Sequence, residues 1–238
     1  MENKCKAIIL LYHQVGKDPN NQTNFDCYCD QDRFEEQMEF LFNSPYKVIS
    51  LDELMLKLNS EKHLFDDNYI VLTFDDGCAK FSKTVLPILK KYNFPATIYP
   101  VAGCLGQIAS WPKVINPDFN IMSELELKNI SDQGVNIGAH TMNHVKLSNC
   151  NFEIAKKEIE KSKQILEHII GKKVTSFAYP HGDYDENIYS LVKILDFSNA
   201  VTCISDFITD DTDIFQLPRK YITYFDTLDT FKNILNYE

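Results

Sequence analysis

The chain has 238 residues, 44% of them hydrophobic and 24% charged, with a formal net charge of −10 at pH 7. It is long enough to bury a core that holds without disulfides. No Lys/Arg cluster offsets the negative balance, which excludes a general nucleic-acid binder, and no apolar run approaches the length of a membrane span.

In chain order, residues 6–13 (KAIILLYH) read as a first strand. Its apolar stretch is too short for a signal-peptide core and lacks a small-residue cleavage site, so the expected location is the cytoplasm. Cys27 and Cys29 sit one residue apart among seven cysteines that show no disulfide framework, and read as reduced structural thiols. Residues 32–43 carry Phe34, Met38, Leu41 and Phe42 at helical spacing. A short strand at 47–50 leads into a helix at 51–59 that Ser50 can cap. Residues 69–74 (YIVLTF) form a continuous apolar strand, as in a sheet covered on both faces.

A helix follows at 80–93 and a strand at 96–101. Residues 102–122, the longest irregular stretch, hold Trp111 and read as a loop over a site. Ser123 and Gly134 bracket a helix, 135–140 is a strand, and 151–171 is a long helix stopped by Gly171. Its Glu/Lys-rich segment 153–164 reads as a solvated face. Strands at 174–180, 199–204 and 219–223 alternate with helices at 186–195 and 227–236. Repeated βα units imply a parallel sheet, open or closed into a barrel.

Polar residues gather where these strands end. Asp75 and Asp76 follow the apolar run at 69–74 and precede Gly77. Neighbouring side chains on a strand face opposite ways, so the two carboxylates share a site only where the strand yields to a turn. Alone, such a turn is commonly a solvated helix cap. His140 and His144 lie at the end of another strand. In extended chain they stand about 13 Å apart. On one helical turn their nitrogens can reach a single ion at about 2.0–2.1 Å, so the chain must turn just after Ala139. With a strand-end carboxylate they make a two-His, one-carboxylate set with open coordination positions. Pro180, His181 and Gly182 form a tight turn whose backbone N–H groups can face a ligand. His13 ends the first strand, on the face that barrel closure brings to the other three. His63 and His168 read as surface or packing residues.

Together, TFDDG at 73–77, HTMNH at 140–144 and FAYPHG at 177–182 resemble the NodB-homology polysaccharide deacetylases, carbohydrate esterase family four. The resemblance extends from the first strand to the closing helix. It implies an α/β fold, a distorted (β/α)7-type barrel forming one domain over residues 1–238, and hydrolytic N-deacetylation of an N-acetylated carbohydrate. It assigns Asp75 as catalytic base. It assigns Asp76, His140 and His144 to a divalent metal, most often zinc, with cobalt, nickel or manganese as alternatives. Tyr179, Pro180 and His181 fall on the motif that binds substrate and the oxyanion. Tyr179, Tyr184 and Trp111 read by default as core packing, with stacking on sugar rings as the alternative.

Two family features are missing. Ala178 stands where many members have an arginine, and no histidine follows His181 to supply the usual late acid. The subgroup that deacetylates poly-N-acetylglucosamine is similar to this chain in both respects. By that likeness His13, in LYHQV, is the general acid, and Arg219, in LPRKYI, replaces the missing arginine beside Asp75. Two other readings are a deformylase or deacetylase acting on a lipid- or nucleotide-linked sugar or another small amide, and a non-catalytic glycan-binding relative. The intact Asp75, Asp76, His140 and His144 stand against the second.

Overall fold

The computed structural model describes residues 7–17, 19–59, 67–113, 115–209 and 211–237; His63 lies outside them. The strands are β1 (Ala7–Tyr12), β2 (Gln14–Gly16), β3 (Tyr28–Asp30), β4 (Lys47–Val48), β5 (Tyr69–Asp76), β6 (Thr97–Pro100), β7 (Asn136–Ile137), β8 (Ser176–Ala178), β9 (Asn199–Val201) and β10 (Lys220–Tyr221). The α-helices are α1 (Gln31–Asn43), α2 (Leu51–Leu58), α3 (Leu86–Tyr92), α4 (Glu124–Asp132), α5 (Phe152–Ile170), α6 (Glu186–Ile194) and α7 (Leu228–Leu235).

The main sheet is parallel in the order β10-β1-β5-β6-β7, with β4 beside the start of β5. Two bridges close the ring. Ala139, just past β7, pairs with Phe177 of β8, and Val201 of β9 pairs with Leu217, three residues before β10. Seven strands, β1 and β5 to β10, thus form the distorted barrel. Alternation along each strand sorts the core. Ile8, Leu10, Tyr12, Ile70, Leu72 and Phe74 pack outward under the helices. Ala7, Ile9, Tyr69, Val71, Tyr99, Ala178, Val201 and Leu217 make a second cluster inside the ring, to which α2 adds Leu51, Leu54 and Met55. The strand C-termini therefore open on one face, where the polar residues lie.

The caps form as the residue types dictate. Ser50 Oγ accepts the Glu53 N–H, Ser123 and Glu126 make a reciprocal capping box, and Gly171 ends α5 at φ 69°. Several strands are shorter than the runs that predict them: β7, β8 and β10 lose residues at both ends. The helix expected at 80–93 opens with a π-helical turn, Phe81–Val85, before α3. The parallel pair β2–β3 has no counterpart in the sequence reading: three-residue strands carry too little periodicity to register. The six described cysteines are free, and no described helix is long and apolar enough to cross a membrane.

Candidate metal centre

β5 brings Thr73 and Asp75 to the inside of the ring. By alternation Asp76 should face outward, toward the helices. It does not, because Asp76 itself adopts the left-handed conformation at φ 71°, followed by Gly77 at φ 82°. The Gly77 N–H returns to the Asp75 carbonyl at 2.9 Å. The freedom expected of Gly77 alone is shared by both residues, and for Asp76 it costs about 1–2 kcal/mol. Glycine is also required by space: a Cβ at 77 would stand 2.7 Å from Pro100 Cβ.

His140 and His144 are joined by a turn rather than by helix, with Thr141 at φ 63° and His144 at φ 54°. Thr141 Oγ1 accepts the His144 N–H at 3.0 Å. The loop after β6 holds the turn from the other side: the Ala102 and Gly103 N–H groups donate to the Thr141 and Met142 carbonyls at 3.0 and 2.9 Å. At Gly138 a Cβ would sit 2.2 Å from the Tyr99 ring, so the strand can pass there only as glycine. His140 Nδ1 lies 2.8 Å from the Ala178 carbonyl, which fixes the proton on Nδ1 and leaves Nε2 free to ligate.

The result is a convergent donor set. Asp76 Oδ1 lies 3.4 Å from His144 Nε2 and 3.7 Å from His140 Nε2, and all three residues are buried. Ligands at about 2.0–2.1 Å from one tetrahedral ion stand roughly 3.3–3.5 Å apart; the Asp76–His144 distance falls in that range, the Asp76–His140 distance lies just above it, and all three donor atoms lie within 4.8 Å of one another. Asp76 Oδ1 has no hydrogen-bond donor from the protein. Burial, reinforced by the neighbouring Asp75 charge and only partly offset by Arg219, pushes the Asp76 carboxyl well up. Burial likewise pushes His140 and His144 down, toward neutral imidazole. A buried carboxylate without a counter-charge beside two neutral imidazoles is the donor chemistry of a divalent metal site.

Asp75 is in the opposite condition. Arg219, fully buried, grips it through two hydrogen bonds, Nη1 to Oδ1 at 2.7 Å and Nη2 to Oδ2 at 2.6 Å. Arg219 also donates to the Thr202 carbonyl at 2.8 Å and to Thr73 Oγ1 at 3.2 Å. Burial alone would raise the Asp75 carboxyl, but the charge and hydrogen bonds of Arg219 outweigh it and hold the carboxyl below its usual range. Two adjacent carboxylates are thereby driven apart, one kept ionised by arginine and the other left for a cation.

A cleft of about 430 Å³ opens over this pair, lined by His13, Asp75, Asp76, His140, His144 and His181 among others. His13 sits between β1 and β2 with its ring 5.1 Å from Tyr221, and its Nδ1 has no partner. Burial lowers its pKa to about 4 despite the pull of the Asp75 charge, so it rests as neutral imidazole at pH 7. Trp111, from the loop expected over the site, lines the cleft and stacks on His144 at 4.7 Å and 26°.

Other expectations need correction. Tyr179 is fully buried, bonds the Phe215 carbonyl through its hydroxyl at 3.1 Å and stacks on Tyr184 at 4.4 Å. Neither tyrosine lines the cleft, nor does Pro180; strand alternation turns Tyr179 outward, under the helices. Sequence reasoning also missed Tyr221 and Cys27, whose OH and Sγ meet at 3.0 Å in the cleft wall, and Cys203 in the same wall. Tyr221 could have been found, since it follows Arg219 by two residues in the strand expected at 219–223. Segment 153–164 is not wholly solvated either: Glu158 is buried and bonds the ligand turn.

Residues 62–200 match the polysaccharide deacetylase family model. A poly-β-1,6-N-acetyl-D-glucosamine N-deacetylase of Staphylococcus epidermidis is 25% identical over 237 residues, covering 91% of this chain and 78% of the relative. Among solved structures, the Streptococcus pyogenes deacetylase PplD in complex with acetate superposes with a TM-score of 0.82 at 22% identity, covering 98% of this chain and 99% of the other. IcaB from Ammonifex degensii gives 0.81 at 19% identity, covering 98% and 97%.

Proposed function

The chain belongs to the polysaccharide deacetylase family, and on that premise we propose that it hydrolyses the N-acetyl group of an N-acetylated sugar unit in a glycan, using a divalent metal. The observation that carries this is the pairing of an unpartnered Asp76 Oδ1, facing two imidazole nitrogens, with an arginine-held Asp75 in the same cleft.

Asp76, His140 and His144 are the proposed metal ligands. When bound there, a divalent ion supplies positive charge that polarises the amide oxygen and acidifies water. Zinc suits two nitrogens and one carboxylate oxygen; cobalt, nickel and manganese accept the same donors. Asp75, kept ionised by Arg219, takes the proton of the attacking water, a role worth about 10²- to 10⁴-fold. Arg219 is the orienting residue, in place of the arginine absent at Ala178. His13 delivers a proton to the departing nitrogen. Because burial holds it neutral at rest, the proton it delivers is the one Asp75 has taken from water. His181, held at φ 60° after Pro180, offers its backbone N–H to the oxyanion.

The single closed ring of strands supports reading residues 1–238 as one domain, and the free cysteines support a reducing compartment such as the cytoplasm. The test is acetate release from a panel of N-acetylglucosamine oligomers, N-acetylated sugar nucleotides and lipid-linked N-acetyl sugars. Release from oligomers is expected. Release from nucleotide- or lipid-linked sugars alone would move the substrate to a biosynthetic precursor, and no release from any of them would refute the function.

A further inference from the structure

We propose that Glu158 is a positioning residue for the metal ligands, acting through the turn that carries His140 and His144. This rests on the metal reading above. α5 buries a stripe of Ala155, Ile159, Ser162, Leu166 and Ile170, and Glu158 lies in that stripe where an apolar side chain would pack. A carboxylate there is costly unless hydrogen bonds replace its water. All its bonds go to one place: Oε2 accepts the backbone N–H groups of Met142 and Asn143 at 3.1 and 2.9 Å, and Oε1 accepts Asn143 Nδ2 at 2.6 Å.

Met142 and Asn143 lie between the two histidine ligands. Their N–H groups are taken by Glu158, while the loop after β6 holds the Met142 carbonyl and that of Thr141 before it. The fit on that side is tight, since a Cβ at Gly103 would stand 2.4 Å from the Met142 oxygen. The turn is therefore clamped from two sides. Glu158 supplies the side-chain half of the clamp and so fixes the separation of the two imidazoles. Groups that orient metal ligands in this way change metal affinity by about 10- to 100-fold.

The test is zinc affinity of full-length protein, measured by competition with a chromogenic chelator, alongside the melting temperature of the metal-free protein. Glu158→Gln keeps an oxygen to accept the two backbone N–H groups, and should bind zinc within about threefold of wild type. Glu158→Asp keeps the charge but withdraws it from the turn. Glu158→Leu removes the acceptor and keeps the packing. In both of these the Kd should rise by about 10- to 100-fold. If Glu158→Leu does not fold, Glu158→Asp carries the test alone. A wild-type Kd in the Asp and Leu variants, whatever their melting temperatures, would overturn the positioning role while leaving the metal site standing. Absence of zinc binding by the wild type would overturn both.

Discussion

Replacing Arg219 with methionine removes the cation that holds Asp75 ionised while keeping most of the side-chain volume. Four hydrogen bonds disappear, and Asp75 is left buried beside Asp76. Breaking a buried pair in this way costs about 3–5 kcal/mol. That is a large part of the 5–15 kcal/mol expected for a folded domain, so the variant's urea midpoint should fall well below the wild type's. The pH dependence distinguishes electrostatics from lost packing. In wild type the Asp75 pKa is depressed, so its contribution is fully present above the usual carboxylate pKa near 3.9 and fades as pH falls through the folded value. In Arg219→Met burial raises that pKa, so the sign reverses: the variant loses stability as pH rises above about 3.9. Urea unfolding at pH 5 and pH 8 should show the larger deficit at pH 8. The acid limb of kcat/KM should move to higher pH, because the base is now protonated where the wild type is active. Equal deficits at both pH values, with an unmoved acid limb, would refute the role given to the pair.

Asp75→Asn should lower turnover by about 10²- to 10⁴-fold while leaving bound metal at wild-type stoichiometry, checked by elemental analysis of the same sample. The Asp76 carboxyl is pushed up in the metal-free protein, so at any pH where it is protonated a binding ion displaces its proton. Metal affinity should therefore fall about tenfold per pH unit below that pKa, with proton release visible by calorimetry in buffers of different ionisation enthalpy. The His13 ring should titrate near pH 4 in metal-free protein by NMR; a midpoint near 6.5 would contradict the desolvation assigned to it in the cleft wall. His13→Ala should slow acetate release without changing zinc affinity, and an unchanged pH–rate profile would remove it as the proton donor.

The chemistry was more legible in the sequence than the backbone that presents it. Strand-end placement of Asp75, Asp76, His140 and His144 followed from apolar runs stopping at polar residues, and the barrel followed from alternating βα units. Arg219 was legible only through family likeness: its pairing with Asp75 bridges 144 positions of chain, and no local period reports it. The left-handed Asp76 leaves no mark in the sequence, because Gly77 beside it is sufficient for a turn. The placement of Tyr179 needs a register that the sequence lacks, since the single step from Ala178, at the end of β8, to Tyr179 separates the inside of the ring from the helical layer. Glu158 did leave a signal, a charged residue in phase with Ala155, Ile159 and Ser162 on the buried stripe of α5. Its Glu/Lys-rich neighbours masked it.

The most direct test of the central claim is zinc add-back to chelator-stripped protein, following acetate released from N-acetylglucosamine oligomers. Activity should be absent at the start, rise in proportion to added ion and saturate at about one per chain, as one set of three ligands requires. Full activity in the stripped protein, with no response to added zinc, would contradict it.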